Sequence, residues 1–203
     1  MIITRVKPAR KVTSVFFEDE SSIVVYTEHW QKYGYNENDD IPLEIIEEIK
    51  HISDFKRGKE RALYLLTRRD YGKSELIKKL SSSVSSEVAK EICDYLEEIS
   101  LINDEKYAAS LASYLINTKG YGAKRAVYEI SEKGIDKELA ALAVENIETN
   151  PIDKILSIIE RKYENALYDE KIYNRCVNFL MRYGYKYGEI KSAFELLKEQ
   201  ERQ

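Results

Sequence analysis

Arg57, Arg61, Tyr64 and Arg68 follow one another at intervals of four, three and four residues. Side chains at that spacing share one face of an α-helix, and Phe55, Ala62 and Leu66 then fall on the opposite, core-facing side. The stretch from Lys56 to Lys79 holds nine basic residues against three acids, in a chain whose formal net charge is −4. Guanidinium groups are forked donors that match paired oxygens, and a tyrosine among them can stack on a ring or donate its hydroxyl. Such a face suits a phosphate backbone. It equally suits an acidic groove on another protein, and a third reading is a charged helix face that meets only water. A smaller basic cluster, Lys119, Lys124 and Arg125, recurs about fifty positions downstream. With Arg69 and Lys73, these residues are the candidate contacts for a partner or for DNA.

Residues for bond-making chemistry are not arranged for it. His29 and His51 are the two histidines, and neither stands at a metal-ligand spacing from Cys93 or Cys176. Glu47-Glu48 and Glu97-Glu98 are adjacent pairs, which diverge on a helix and do not share a proton. Gly120-Tyr121-Gly122 lacks the Gly-Lys-Ser/Thr that completes a phosphate loop. The expectation is a binding protein, not an enzyme, with no catalytic residue, metal site or cofactor.

The elements that would position the basic face begin after an unlike leader. Val12 to Phe17 and Ser22 to Tyr26 are rich in β-branched and aromatic residues and flank the polar Glu18-Asp19-Glu20-Ser21, so they predict a β-hairpin. A lone hairpin is marginal in water and must pack on something. Pro42 suits the first turn of a helix that continues through Leu43, Ile46 and Ile49. From about residue 54 the apolar period is helical to the end, and it repeats. Arg69-Asp70-Tyr71-Gly72 opens a helix ending near Leu80, and fifty positions later Lys119-Gly120-Tyr121-Gly122 opens one ending near Ile130. The next helices carry the stripes Val84, Val88, Ile92, Leu96 and Ile135, Leu139, Leu142, Ile147. Arg182-Tyr183-Gly184-Tyr185 followed by Ile190, Phe194 and Leu197 closes a third copy. Asn103, Asp136 and Asn150 (before Pro151) are placed as helix caps, and Gly134 and Gly184 as turn glycines.

The fold expected is therefore mainly α: an elongated tandem array of three three-helix repeats behind a short N-terminal β-hairpin. The boundaries expected are 1–53 for the hairpin and lead-in helix, then 54–101, 102–149 and 150–203 for the repeats. Trp30 and most of the 16 tyrosines are assigned to packing, and the two cysteines to buried, reduced thiols. The N-terminal residues lack the apolar run of a signal peptide, and no segment is long and apolar enough to span a bilayer, so a cytoplasmic location without membrane contact is expected.

The repeated segments resemble the RecX family of recombinase regulators. The likeness is carried by Ala62 to Arg69 with Ser74 to Leu80, by Leu101-Ile102-Asn103-Asp104-Glu105-Lys106-Tyr107-Ala108, by Gly122-Ala123-Lys124-Arg125, by Lys133-Gly134-Ile135, and by Leu180 to Tyr185. It covers about residues 55–197. The resemblance implies a monomeric modulator, most simply an inhibitor, of the RecA recombinase. Such a protein lies in the groove of the RecA filament on single-stranded DNA and restrains filament growth, ATPase and strand exchange. Weak binding to free DNA is compatible with it. A direct DNA-binding helical module, or a scaffold for an unrelated protein, is the alternative.

Overall fold

A computed structural model describes residues 1–201. Most of them are helical, with a small antiparallel sheet at the N-terminus. By their internal contacts they form two compact units, Met1–Asp70 with Leu76–Ile102, and Tyr71–Glu75 with Asn103–Gln203.

In the first unit the expected hairpin is present as β2 (Val12–Phe17) and β3 (Ser22–Tyr26), paired from Val12↔Tyr26 to Phe16↔Ser22. A further strand, β1 (Ile3–Pro8), adds to the free edge of β2. Its charged and proline-ended sequence gives little strand signal, but the pairing drives Ile3 fully into the core. A short helix, α1 (Thr27–Tyr33), follows and ends at Gly34 in the left-handed conformation. The sheet and α1 then bury Val15, Phe17, Val25 and Trp30 against Ile41, Ile46 and Ile49. This is how a hairpin too small to stand alone is held.

Ile46 and Ile49 belong to α2 (Leu43–Leu66), one uninterrupted helix of 24 residues. The lead-in helix and the helix bearing the basic face, read from the sequence as separate about position 53, are thus continuous. Gly58 lies within this helix. A Cβ at Gly58 would stand 2.4 Å from Ile92 Cδ1, so the glycine permits α2 to lie close on α4 (Ser86–Glu98). Between them in sequence runs α3 (Lys73–Leu80), whose Leu76 and Leu80 are fully buried. Val84, Val88, Ile92 and Leu96 are all buried, as their period requires.

The second unit contains two three-helix groups. In the first, α5 (Asp104–Ser113) runs into a π-helical turn (Tyr114–Thr118), then come α6 (Ala123–Ser131) and α7 (Lys137–Glu145). They enclose Ala108, Ala112, Ile116, Ala126, Ile130 and Ile135. The phase expected for α7 needs one correction. Leu142 faces solvent at 54% exposure, while Ala140, Ala143 and Val144 point inward. Small residues occupy the inner face because α7 lies close to α5 and α6, and an alanine-lined face is masked when only large side chains are counted.

In the last group, α8 (Pro151–Lys162) and a 3-10 turn (Glu164–Leu167) precede α9 (Glu170–Arg182) and α10 (Tyr187–Gln200). Ile155, Ile159, Cys176, Leu180, Ile190 and Phe194 form their core. The caps read from sequence accept the expected backbone bonds: Asn103 from Lys106 at 2.8 Å, Asp136 from Glu138 at 2.8 Å, Asn150 from Ile152 at 3.0 Å. Each satisfies an amide that the first helical turn leaves open. Cys93 and Cys176 are both buried and unbridged. Burial pushes the Cys176 thiol up to about 11. No helix among the described residues is long and apolar enough to cross a membrane.

Candidate partner-binding surface

The second half of α2 presents the basic face. Ala62 and Leu65 anchor the helix inward, so Arg57, Arg61, Tyr64 and Arg68 are all exposed. Tyr64 is the centre of the group. The Arg61 guanidinium lies 5.8 Å from its ring centroid and that of Arg68 5.9 Å, and Arg68 donates to the Tyr64 hydroxyl at 3.2 Å. These contacts hold two long side chains extended along the helix and lower the entropy lost when they meet a partner. Arg57 is more constrained: it pairs with Asp54 at 2.7 Å and donates to the Ser83 carbonyl at 3.2 Å. Arg69, past the end of the helix, donates to the Asp70 carbonyl at 2.9 Å.

The remaining candidates lie in the second unit. The Lys73 backbone amide donates to the Asp104 carboxylate at 2.8 Å, and the residue is half-buried. Lys119 is exposed, 5.5 Å above the Tyr114 ring, and its hydrogen bond to that phenol holds its ammonium above the ordinary lysine range. Lys124 is exposed on α6 and borders an open, mainly apolar groove between α6 and α7, rimmed also by Lys137 and Lys186. Ser131 lines that groove with a buried hydroxyl that has no partner among the described residues.

Arg125 has an internal duty that its sequence does not announce. Its guanidinium lies 4.1 Å from the Tyr121 ring and 5.4 Å from the Tyr183 ring, and its Nε is 3.3 Å from Glu129. It ties the start of α6 to the turn between α9 and α10. Two glycines make that approach possible. A Cβ on Gly122 would stand 2.4 Å from the Gly184 carbonyl carbon, while the Gly122 amide donates to Tyr183 at 2.8 Å. The same joint occurs fifty residues earlier. A Cβ on Gly134 would stand 2.4 Å from Ser74 Cβ, and one on Gly72 3.0 Å from Ile135 Cδ1. The motif Gly-Ala-Lys-Arg therefore combines one structural arginine with one solvent-facing lysine.

Exposed cations and a tyrosine are mounted on a long, well-anchored helix, with a second set of cations on the other unit.

The family model described as "RecX, second three-helix domain" matches residues 103–144, which hold α5, α6 and all but the last residue of α7. "Regulatory protein RecX" of Streptococcus sanguinis (strain SK36) is 22% identical over 205 residues, covering 100% of this chain and 80% of that protein. Its namesake in Clostridioides difficile (strain 630) is 22% identical over 202 residues, with 97% and 95% covered. The crystal structure of RecX from Lactobacillus salivarius superposes with a TM-score of 0.65 at 27% identity, over 71% of this chain and 97% of that one. The crystal structure of another regulatory protein RecX shares the fold across 98% of both chains, with a TM-score of 0.66 at 18% identity. A matched signature on the central helices, relatives aligned along the whole chain and a common fold lead to one statement: the chain is similar along its length to regulatory proteins of the RecX family.

Proposed function

We propose that this protein modulates the RecA recombinase, as an inhibitor that binds in the groove of the RecA filament on single-stranded DNA and restrains its growth, ATPase and strand exchange. The observation that carries the reading is the solvent-facing Arg61–Tyr64–Arg68 group on α2, in a chain with the fold of regulatory RecX proteins. In this reading the helical groups act as three repeats (54–101, 102–149 and 150–203), each offering a modest contact. Contacts on one chain reinforce one another through effective concentration, so none has to be strong alone. Arg57, Arg61, Tyr64, Arg68 and Arg69 form the contact of the first unit, Lys73, Lys119 and Lys124 that of the second. Arg125 holds the second in shape. The binding species is a cytoplasmic monomer.

The test is RecA ATPase on single-stranded DNA with increasing amounts of this protein. Inhibition near one-to-one stoichiometry is expected, and Arg61→Glu/Arg68→Glu should raise the amount needed by about tenfold with helicity unchanged. No change in ATPase at a clear excess of the wild-type chain discards the proposal. A second reading, direct binding to DNA, is favoured by the same cations. It predicts tight binding to free duplex with a steep salt dependence and no need for RecA.

A further inference from the structure

A cavity of about 360 Å³ opens in the second unit where the π-helical turn after α5 meets α8 and α9. Its cationic lining is Lys119, Lys154, Arg161 and Lys162, and a single carboxylate, Asp153, opposes them. Lys154, Ser157, Ile158, Arg161 and Lys162 recur at helical spacing, so one face of α8 supplies most of the wall. Phe179 and Tyr183, with ring centroids 4.2 Å apart, close the apolar side.

Lys154 is the distinctive residue. It is only partly exposed, and its ammonium donates to the Ile116 carbonyl at 2.8 Å and the Asn117 side-chain oxygen at 2.9 Å. An ammonium has three N–H donors, so one is left without a protein acceptor among the described residues. No ion pair joins Lys154, Arg161 or Lys162 to any carboxylate among those residues. Burial alone displaces the Lys154 ammonium below the ordinary lysine range, which is the sign of a charge placed where an anion would relieve it. The π-helical turn that aims Ile116 and Asn117 at it is a rare form, found mostly where a helix has been adapted to a site. Gly120, left-handed at φ +69°, then turns the chain sharply at the cavity's edge.

We infer that this cavity binds a nucleotide unit, its phosphate on Lys154, Arg161 and Lys119 and its sugar and ring against Phe179 and Tyr183. Cations select the phosphate, and the aromatic wall selects a ring-bearing ester over inorganic phosphate. The volume suits one nucleotide. The unit can belong to a single strand or be a free nucleotide, since both present the same chemistry. The inference does not depend on RecA and is tested without it.

The experiment is titration of the full chain with inorganic phosphate, AMP and a short oligothymidylate, followed by backbone amide NMR shifts. Shifts should centre on residues 117–120 and 154–162 with AMP, oligothymidylate or both, and be much weaker with phosphate. Binding of AMP alone assigns the site to free nucleotide, and binding of oligothymidylate alone to a strand. Arg161→Ala/Lys162→Ala removes two exposed cations that no carboxylate pairs, at the cost of the Lys162 ammonium's 5.1 Å contact with the Phe179 ring, and should weaken binding by about tenfold. Lys154→Met should abolish it. Because that change also unties the π-helical turn, the double variant is decisive. No shift with AMP or oligothymidylate, equal binding by the double variant, or binding lost only in Arg61→Glu/Arg68→Glu overturns the inference. None of these results alters the RecA ATPase outcome.

Discussion

His29 sits where the sheet meets α2, 9% exposed, with its Nδ1 3.2 Å from the Ser53 hydroxyl. Ser53 also accepts the Tyr26 amide at 3.1 Å, so a small polar knot is enclosed in the first unit. Burial holds the His29 imidazole below the ordinary histidine value of 6.5, and it outweighs the opposing pull of Glu28, while Lys56 and Lys32 act in the same sense as burial. Glu28 is itself engaged by the Lys56 ammonium. The direction of the pH effect follows. The unfolded chain takes up a proton as pH falls through 6.5, and the folded chain resists it until the lowered value is reached. Stability of this unit is therefore full above the ordinary histidine value and lost as pH falls below it. The urea midpoint is expected to fall between about pH 7.5 and pH 5.5, and His29→Asn should flatten that slope whatever it does to the midpoint itself. An unchanged slope in His29→Asn assigns the effect to other groups. Nothing in the local sequence distinguishes His29 from His51, which is exposed and 2.7 Å from Glu91. Burial of a single residue is decided by a partner far along the chain, here Ser53. By contrast, the cap residues Asn103, Asp136 and Asn150 were legible, because a cap acts on amides two or three positions away.

Among elements, the glycine joints explain why the helical groups repeat at an offset of fifty. A helix start and a helix–helix turn can approach to backbone contact only where both lack a Cβ, so Gly122 faces Gly184. Gly122 has an ordinary φ of −74°, and space alone requires it to be glycine. Gly120 is the opposite case, with a left-handed φ of +69° and no atom within 4 Å of an added Cβ. Gly122→Ala should therefore destabilise the second unit by about 2–3 kcal/mol, through backbone that cannot move aside. Gly120→Ala should cost about 1 kcal/mol, from conformation alone. Denaturant midpoints that rank the two equally would contradict this account of the joint. Tyr71-Gly72 with Tyr121-Gly122, and Gly134 with Gly184, each fifty positions apart, exposed the repeat in the sequence because the joint fixes residue types. The continuity of α2 through Gly58 was not legible. Glycine ordinarily weakens a helix, and the Ile92 side chain that rewards its presence is 34 positions away. The strand β1 was hidden for the same reason, since its partner and not its composition makes it a strand.

At the scale of the whole molecule, a net charge of −4 coexists with solvent-facing cations on both compact units. A net negative charge keeps such a chain from coating nucleic acid indiscriminately, so that binding requires the cations to meet matched anions. If both units contact one polymeric partner, substitutions in one set of cations leave the other set in place. Lesions at separate sites that share no contact residue add in free energy, so their effects on affinity multiply. The prediction concerns two double variants, Arg61→Glu/Arg68→Glu on α2 and Lys119→Glu/Lys124→Glu on the second unit. Each alone should weaken association with RecA filaments by about tenfold, and the quadruple variant by about a hundredfold, as read by co-sedimentation at fixed salt. Bare single-stranded DNA as a parallel target separates loss of the filament contact from loss of phosphate binding, because the latter also lowers the salt dependence. A quadruple variant no weaker than the α2 variant would mean that the second unit never touches the filament. Regulation would then rest on one helix face, and the repeated architecture would serve stability instead of reach.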